Sequence, residues 1–217
     1  MNKPLDLAIV TGFGDKGISE LQKELNRELQ PATSRVIASA PWYRAHHHPE
    51  EVIAEVTKEL DSQPGNHLLV GHSYGALIAL VVACRRELDG ILKLILLDGP
   101  LRSDVEVKPE KTAHHLFFRH YRERVKLAEE CEGVLQRLAT DKILTIGTAK
   151  DAIVPPESKK LATNPVQARL TTTESAASYT PVTDGGVNIT IDIPKMHGHG
   201  LSKAKAALYG KIIKNML

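Results

Sequence analysis

The chain has few aromatic residues, only two cysteines and no long apolar run. Aromatics make up 4% of its 217 residues, so any core has to be built from aliphatic side chains. Cys84 and Cys131 lie far apart in sequence. They form neither a disulfide framework nor a metal cluster, and read as thiols of a reducing compartment. No run approaches the ~18–20 apolar residues of a membrane span. Met1-Asn2-Lys3-Pro4 leads straight into Leu5–Val10, with no apolar leader and no small-residue cleavage site, so a cytoplasmic location is expected. An excess of one charge is missing too. The formal net charge is +2, which argues against nucleic acid or a membrane surface as a bulk partner. There are no repeats, no linker, and no low-complexity tract beyond Thr171–Thr173. With 42% hydrophobic residues, the chain reads as one globular domain over 1–217.

Strand-like and helix-like segments alternate. Leu5–Val10 is an apolar run that ends at Thr11-Gly12-Phe13-Gly14. Ile18, Leu21, Leu25 and Leu29 recur at a helical period. Arg35–Ala40 reads as a second strand. A helix over His48–Leu60 has Pro49 at its first position, Glu50 and Glu51 at its positive end, and Val52, Ile53, Val56 and Leu60 on its inner face. Leu68–Val70 and Ile91–Leu97 are apolar strands on either side of a long helix that runs to about Leu88. Lys142–Ile146 is a further strand. A short helix covers Glu157–Ala162, Asn164–Gly186 is ambiguous, and Val187–Ile193 alternates as an edge strand does. A helix capped near Ser202 closes the chain. This alternation predicts an α/β fold with about six mostly parallel strands, helices on both faces, and ligands at the carboxyl-end rim.

The centre of the pattern is Gly71-His72-Ser73-Tyr74-Gly75, a G-x-S-x-G between an apolar strand and an apolar helix. In that context it is a nucleophile elbow. The turn forces Ser73 into a strained backbone region, at a cost of about 1–3 kcal/mol. Gly71 and Gly75 let its two arms pass close together. The hydroxyl is lifted above the sheet. The Tyr74 amide, at a helix N-terminus, is aimed where an oxyanion would form. A second donor is expected from the Phe13 amide in the glycine turn after the first strand. Gly12-x-Gly14 is too short for a dinucleotide fingerprint.

A serine needs a histidine to take its proton, and a carboxylate to orient that histidine. Two residues of each type stand after suitable strands. Asp151 is favoured as the acid because Gly147, Pro155 and Pro156 would hold its turn rigidly. Asp98, after Ile91–Leu97, is the alternative, or else a residue that bonds loop amides under Gly99-Pro100. His199 is favoured as the base over His197, since Leu201 can pack inward and fix the loop. His72 packs or bonds within its loop. His46, His47 and His48 are adjacent and lead into a helix, so they suit no single metal ion. His114, His115 and His120 read as solvated or at a pocket rim. No metal or organic cofactor is expected.

Gly71–Gly75, the Phe13 turn, Asp151 and His199 together resemble the α/β-hydrolase superfamily, over nearly the whole chain. The resemblance implies a trimmed sheet that begins at the family's third strand, and a Ser73–His199–Asp151 triad with Phe13 and Tyr74 as the oxyanion hole. Thr11 stands where members often have a histidine. Gly71-His72-Ser73-Tyr74-Gly75-Ala76 and Leu94–Gly99 are also similar to the thioesterases that unload fatty-acid and polyketide synthases, a branch whose acid position implies Asp98 and, less strongly, His197. Residues 104–140 hold the usual place of a small helical cap. Leu116, Phe117, Phe118 and Tyr121 would face inward, and Lys108, Lys111, Arg119, Arg122, Arg124 and Lys126 would form a basic face or meet an anionic group. The expected activity is that of a serine esterase acting on a small-molecule acyl ester. An acyl thioesterase and a non-catalytic hydrolase-like binding protein are the alternatives.

Overall fold

Short runs of Leu, Ile and Val set the sheet. The computed structural model describes residues 5–12, 17–29, 32–37, 48–63, 65–106, 114–138, 140–151, 153–180 and 185–217. The strands are β1 (Leu5–Val10), β2 (Ala32–Ile37), β3 (His67–His72), β4 (Ile91–Leu97), β5 (Ile143–Thr148), β6 (Val166–Leu170) and β7 (Val187–Ile191). They form one seven-stranded sheet in the order β2-β1-β3-β4-β5-β7-β6, and every pairing is parallel. β3 and β5 are buried along their whole length, as a strand covered on both faces requires.

The helices are α1 (Ile18–Glu28), α2 (Pro49–Asp61), α3 (Tyr74–Arg85), α4 (His114–Leu135), α5 (Thr173–Ala177) and α6 (Lys203–Asn215). Strand alternation sorts the core into two layers. Ala8, Val10, Leu69, Leu94 and Leu96 pack with α2, α3 and the second half of α4. Leu7, Ile9, Leu68, Val70, Ile95 and Leu97 pack with α1 and α6. α3 is buried from Tyr74 to Cys84. Leu127, Ala128, Cys131 and Leu135 of α4 belong to the same core.

Three details differ from the sequence reading. β2 starts at Ala32, three residues before Arg35, and residues 38–40 lie outside the described set. β6 arises within the ambiguous Thr- and Ser-rich stretch and forms the sheet's edge. β7 is therefore an interior strand. Its alternation has another cause. Asn188 is buried and spends its polar groups on the Thr145 hydroxyl at 2.6 Å and on the Leu161 amide and carbonyl at 3.0 and 2.8 Å. A polar residue at an inward position with every group bonded costs little.

Candidate active site

Because all strands are parallel, their carboxyl ends share one rim. The loops after β3, β4, β5 and β7 bring Ser73, Asp98, Asp151 and His199 to it. Ser73 has φ 57° and ψ −129°, a conformation that an L-residue holds only when its surroundings enforce it. Enforcement is visible on both sides of the turn. The Ser73 amide donates to the Leu97 carbonyl at 2.8 Å, and its carbonyl accepts from Ala76 N–H at 3.0 Å. A Cβ on Gly71 would stand 2.5 Å from Ala76 Cα, and one on Gly75 would stand 2.4 Å from the Val10 carbonyl oxygen. Only glycine fits at either position.

The Ser73 hydroxyl donates to His199 Nε2 at 2.6 Å, and His199 Nδ1–H donates to Asp151 Oδ2 at 2.8 Å. This direction leaves Nε2 bare, as a proton acceptor for the serine must be. The loop that carries His199 is tied to the loop that carries Asp151. Gly198 N–H donates to the Lys150 carbonyl at 2.7 Å, and the Gly198 carbonyl accepts from Lys205 Nζ at 2.9 Å. Gly198 has φ 100°, a left-handed backbone that a side chain would strain. Leu201 is buried beyond the loop. It meets the turn before α1, where a Cβ on Gly17 would come 2.2 Å from the Leu201 carbonyl oxygen.

Asp151 is fully coordinated. Its Oδ1 accepts from the Ile153 and Val154 amides at 2.8 and 3.2 Å, and its Oδ2 accepts from Lys159 Nζ at 2.7 Å as well as from His199. Burial opposes its charge, but the His199 hydrogen bond and the Lys159 ammonium outweigh burial and hold the carboxyl well below the usual carboxylate range.

Asp98 stands apart from both imidazoles' hydrogen bonds. It is wholly buried. It accepts from the Thr148 amide, the Thr148 hydroxyl and Lys159 at 2.7–2.8 Å, and from Tyr209 OH and Lys205 at 2.6 Å. It does not bond amides under Gly99-Pro100, because buried ammonium groups are stronger partners. Burial works against the charge of Asp98 as well, and Lys205 and Lys159 overcome it, so its carboxyl is also held far below the usual range. His197 Nε2 lies 3.2 Å from Asp192, away from Ser73. His72 is buried, with its ring centroid 5.7 Å from that of His199.

Tyr74 is the first residue of α3, so its amide sits at the helix's positive end. Phe13 and Gly14 lie outside the described residues, but Gly12 does not. A Cβ there would stand 2.6 Å from Ser73 Cβ and 2.9 Å from its hydroxyl oxygen. Gly12 thus lies directly against the serine. His46, His47, Lys108 and Lys111 lie outside the described residues, as do the side chains of residues 114–122. His48 pairs with Glu123 at 2.8 Å. Among the described residues no cluster of His, Cys, Asp or Glu could hold a metal, and no helix is long and apolar enough to cross a membrane.

Sequence reasoning missed Lys159, Lys205, Thr148 and Tyr209. One signal was available. Lys205 stands in the first turn of α6, where a cation opposes the helix dipole unless a buried anion compensates.

A parallel sheet with an elbow at β3 and helices on both faces defines an α/β hydrolase. A family model for "Serine hydrolase" matches residues 7–180, and the chain belongs to that family. No curated protein matches significantly. Solved structures do. A Paleococcus ferrophilus monoacylglycerol lipase has TM-score 0.56 at 16% identity, over 99% of this chain and 97% of that one. The thioesterase domain from the curacin biosynthetic pathway has TM-score 0.55 at 15% identity, over 97% and 90%. Est1E from Butyrivibrio proteoclasticus has TM-score 0.57 at 14% identity, over 99% and 87%. At these identities the likeness is one of fold.

Proposed function

We propose that this serine hydrolase cleaves carboxylic esters through an acyl-enzyme formed on Ser73. The observation that carries the reading is the unbroken hydrogen-bonded line from the Ser73 hydroxyl through His199 to Asp151, at 2.6 and 2.8 Å. Ser73 Oγ attacks the acyl carbon while its proton passes to His199 Nε2. The imidazolium gives that proton to the leaving alcohol as the ester C–O bond breaks. Water then attacks the acyl-enzyme, loses a proton to His199, and releases the acid as Ser73 regains its hydrogen. Asp151 stays ionised throughout and balances the imidazolium. The Tyr74 and Phe13 amides bind the oxyanion of both tetrahedral intermediates; losing one such donor typically costs about 10²–10³-fold in turnover.

The substrate in this reading is a small-molecule acyl ester, and the 104–140 segment supplies its cap, except for the Leu127–Leu135 half of α4, which packs in the core. The enzyme works in the cytoplasm without a metal or an organic cofactor. Paired assays test the ester assignment. Hydrolysis of p-nitrophenyl butyrate and of a butyryl thioester is measured for the wild-type chain and Ser73→Ala. Ester turnover that exceeds thioester turnover and vanishes in Ser73→Ala is expected. A strong thioester preference overturns the ester assignment. Turnover of neither supports a binding protein.

A further inference from the structure

Behind the Ser73–His199–Asp151 line lies a second set of charges. Lys159 ends the 3-10 turn Pro156–Lys159, and Lys205 lies in the first turn of α6. Both side chains are buried, at 1% exposure. Lys205 Nζ lies 2.6 Å from Asp98 Oδ2. Lys159 Nζ donates to Asp98 Oδ1 at 2.8 Å and to Asp151 Oδ2 at 2.7 Å, with the Thr148 carbonyl and hydroxyl oxygens each 3.1 Å away. Two carboxylates and two ammonium groups therefore balance in a site that water does not reach.

Lys205 alone could neutralise Asp98. Lys159 does more, because it meets the same Asp151 oxygen that receives His199 Nδ1–H. Space is kept for it. A Cβ on Gly147 would come within 2.8 Å of Lys159 Cδ and 2.9 Å of its Cβ. The β5 backbone thus walls the lysine stem and leaves its ammonium one place to go.

We propose that Lys159 is a positioning residue for the catalytic line, fixing the Asp151 carboxylate toward His199 and reducing that carboxylate's pull on the imidazole proton. The proposal rests on the reading of Ser73, His199 and Asp151 as a triad. A cation against Asp151 Oδ2 offsets part of the negative charge that His199 sees. Without that cation the Asp151 charge stands uncompensated beside His199, which favours a proton on the imidazole. Other groups also face His199. Asp98 at the end of β4 is matched by Lys205 from α6. The Tyr209 hydroxyl, also from α6, bonds Asp98 at 2.6 Å and is kept neutral by burial and by that carboxylate. His72 approaches from the end of β3. Among the described residues, Lys159 is the one cation in direct contact with Asp151.

The test is the pH dependence of Ser73 labelling by a fluorophosphonate probe, which reads the His199 titration without assuming a substrate. Wild type is compared with Lys159→Gln and with Lys159→Gln/Asp98→Asn. The double variant removes one buried cation and one buried anion together, so the net buried charge is unchanged, although Lys205 then faces an amide in place of the Asp98 carboxylate, and it gives a second reading if the single variant fails to fold. The acidic limb is expected to move up by about one pH unit in Lys159→Gln, and up by a smaller amount in the double variant, because the loss of the Asp98 charge works the other way. Folded variants that are less stable but keep the wild-type limb make Lys159 a structural ion pair only, and overturn the proposal. If wild-type Ser73 takes no label at all, the triad reading itself has failed, which is a different result from an unshifted limb.

Discussion

Two carboxylates reach the rim, and replacing each with its amide separates their roles. Asp98→Asn keeps the volume but removes the charge that faces Lys159 and Lys205, both buried, and turns an N–H₂ toward groups that are themselves donors. Breaking a buried ion pair from one side costs about 3–5 kcal/mol, a large part of the roughly 5–15 kcal/mol that holds a domain folded. For a chain of this length each kcal/mol lowers Tm by about 2–4 °C, so a drop of roughly 6–20 °C is expected. Turnover per folded molecule should stay within about tenfold of wild type, because Asp98 accepts no hydrogen bond from His199. Asp151→Asn should behave in the opposite way. The amide cannot both receive His199 Nδ1–H and stabilise an imidazolium, and a loss of about 10⁴-fold in turnover is expected. Differential scanning fluorimetry and active-site-normalised ester hydrolysis on both variants give the comparison. If Asp98→Asn abolishes turnover in folded protein while Asp151→Asn leaves it intact, the assignment of the acid is wrong.

Three further outcomes follow from the geometry. His199→Ala should lower turnover by roughly 10⁴–10⁶-fold, whereas His197→Ala, which loses only a partly exposed contact with Asp192, should leave kcat unchanged. Gly12→Ala places a methyl group 2.6 Å from Ser73 Cβ. Displacing the serine by about an ångström should reduce turnover on the order of 10²-fold, and unchanged kinetics would argue against the close passage of that turn. Acid should unfold the chain through Asp98 and Asp151. Both carboxyls are held below their unfolded value of about 3.9, so their stabilisation is complete above that pH and is lost as pH falls through the lower folded values. Urea unfolding followed from pH 6 downward should show stability falling below about pH 4, with a shallower slope in Asp98→Asn.

The sheet was legible in the sequence wherever a strand is buried on both faces. Leu68–Val70 and Leu94–Leu97 are continuous apolar runs, too short for a helix and bounded by glycine or by Asp98-Gly99-Pro100. β6 was not legible. Val166–Leu170 alternates burial at an edge, among threonines and serines that also favour turns. β7 misled for the opposite reason, because Asn188 hides a polar group inside the sheet by bonding all of it. At the site, Ser73 is announced by its glycines, each required by a backbone atom within 2.5 Å of the missing Cβ. The choice between Asp98 and Asp151 was open on spacing alone, since both follow strands that end on one rim. In the structure they differ in that His199 Nδ1–H bonds Asp151 and not Asp98, while Lys205 pairs with Asp98, and local pattern carries no information about partners so distant in sequence.

The measurement closest to the central claim is the site of covalent capture. The folded chain is treated with a fluorophosphonate and the modified peptide identified by mass spectrometry, in wild type and in His199→Ala. One adduct on Ser73, lost in His199→Ala, is the expected result. No adduct, an adduct on another residue, or equal labelling without His199 would contradict the account.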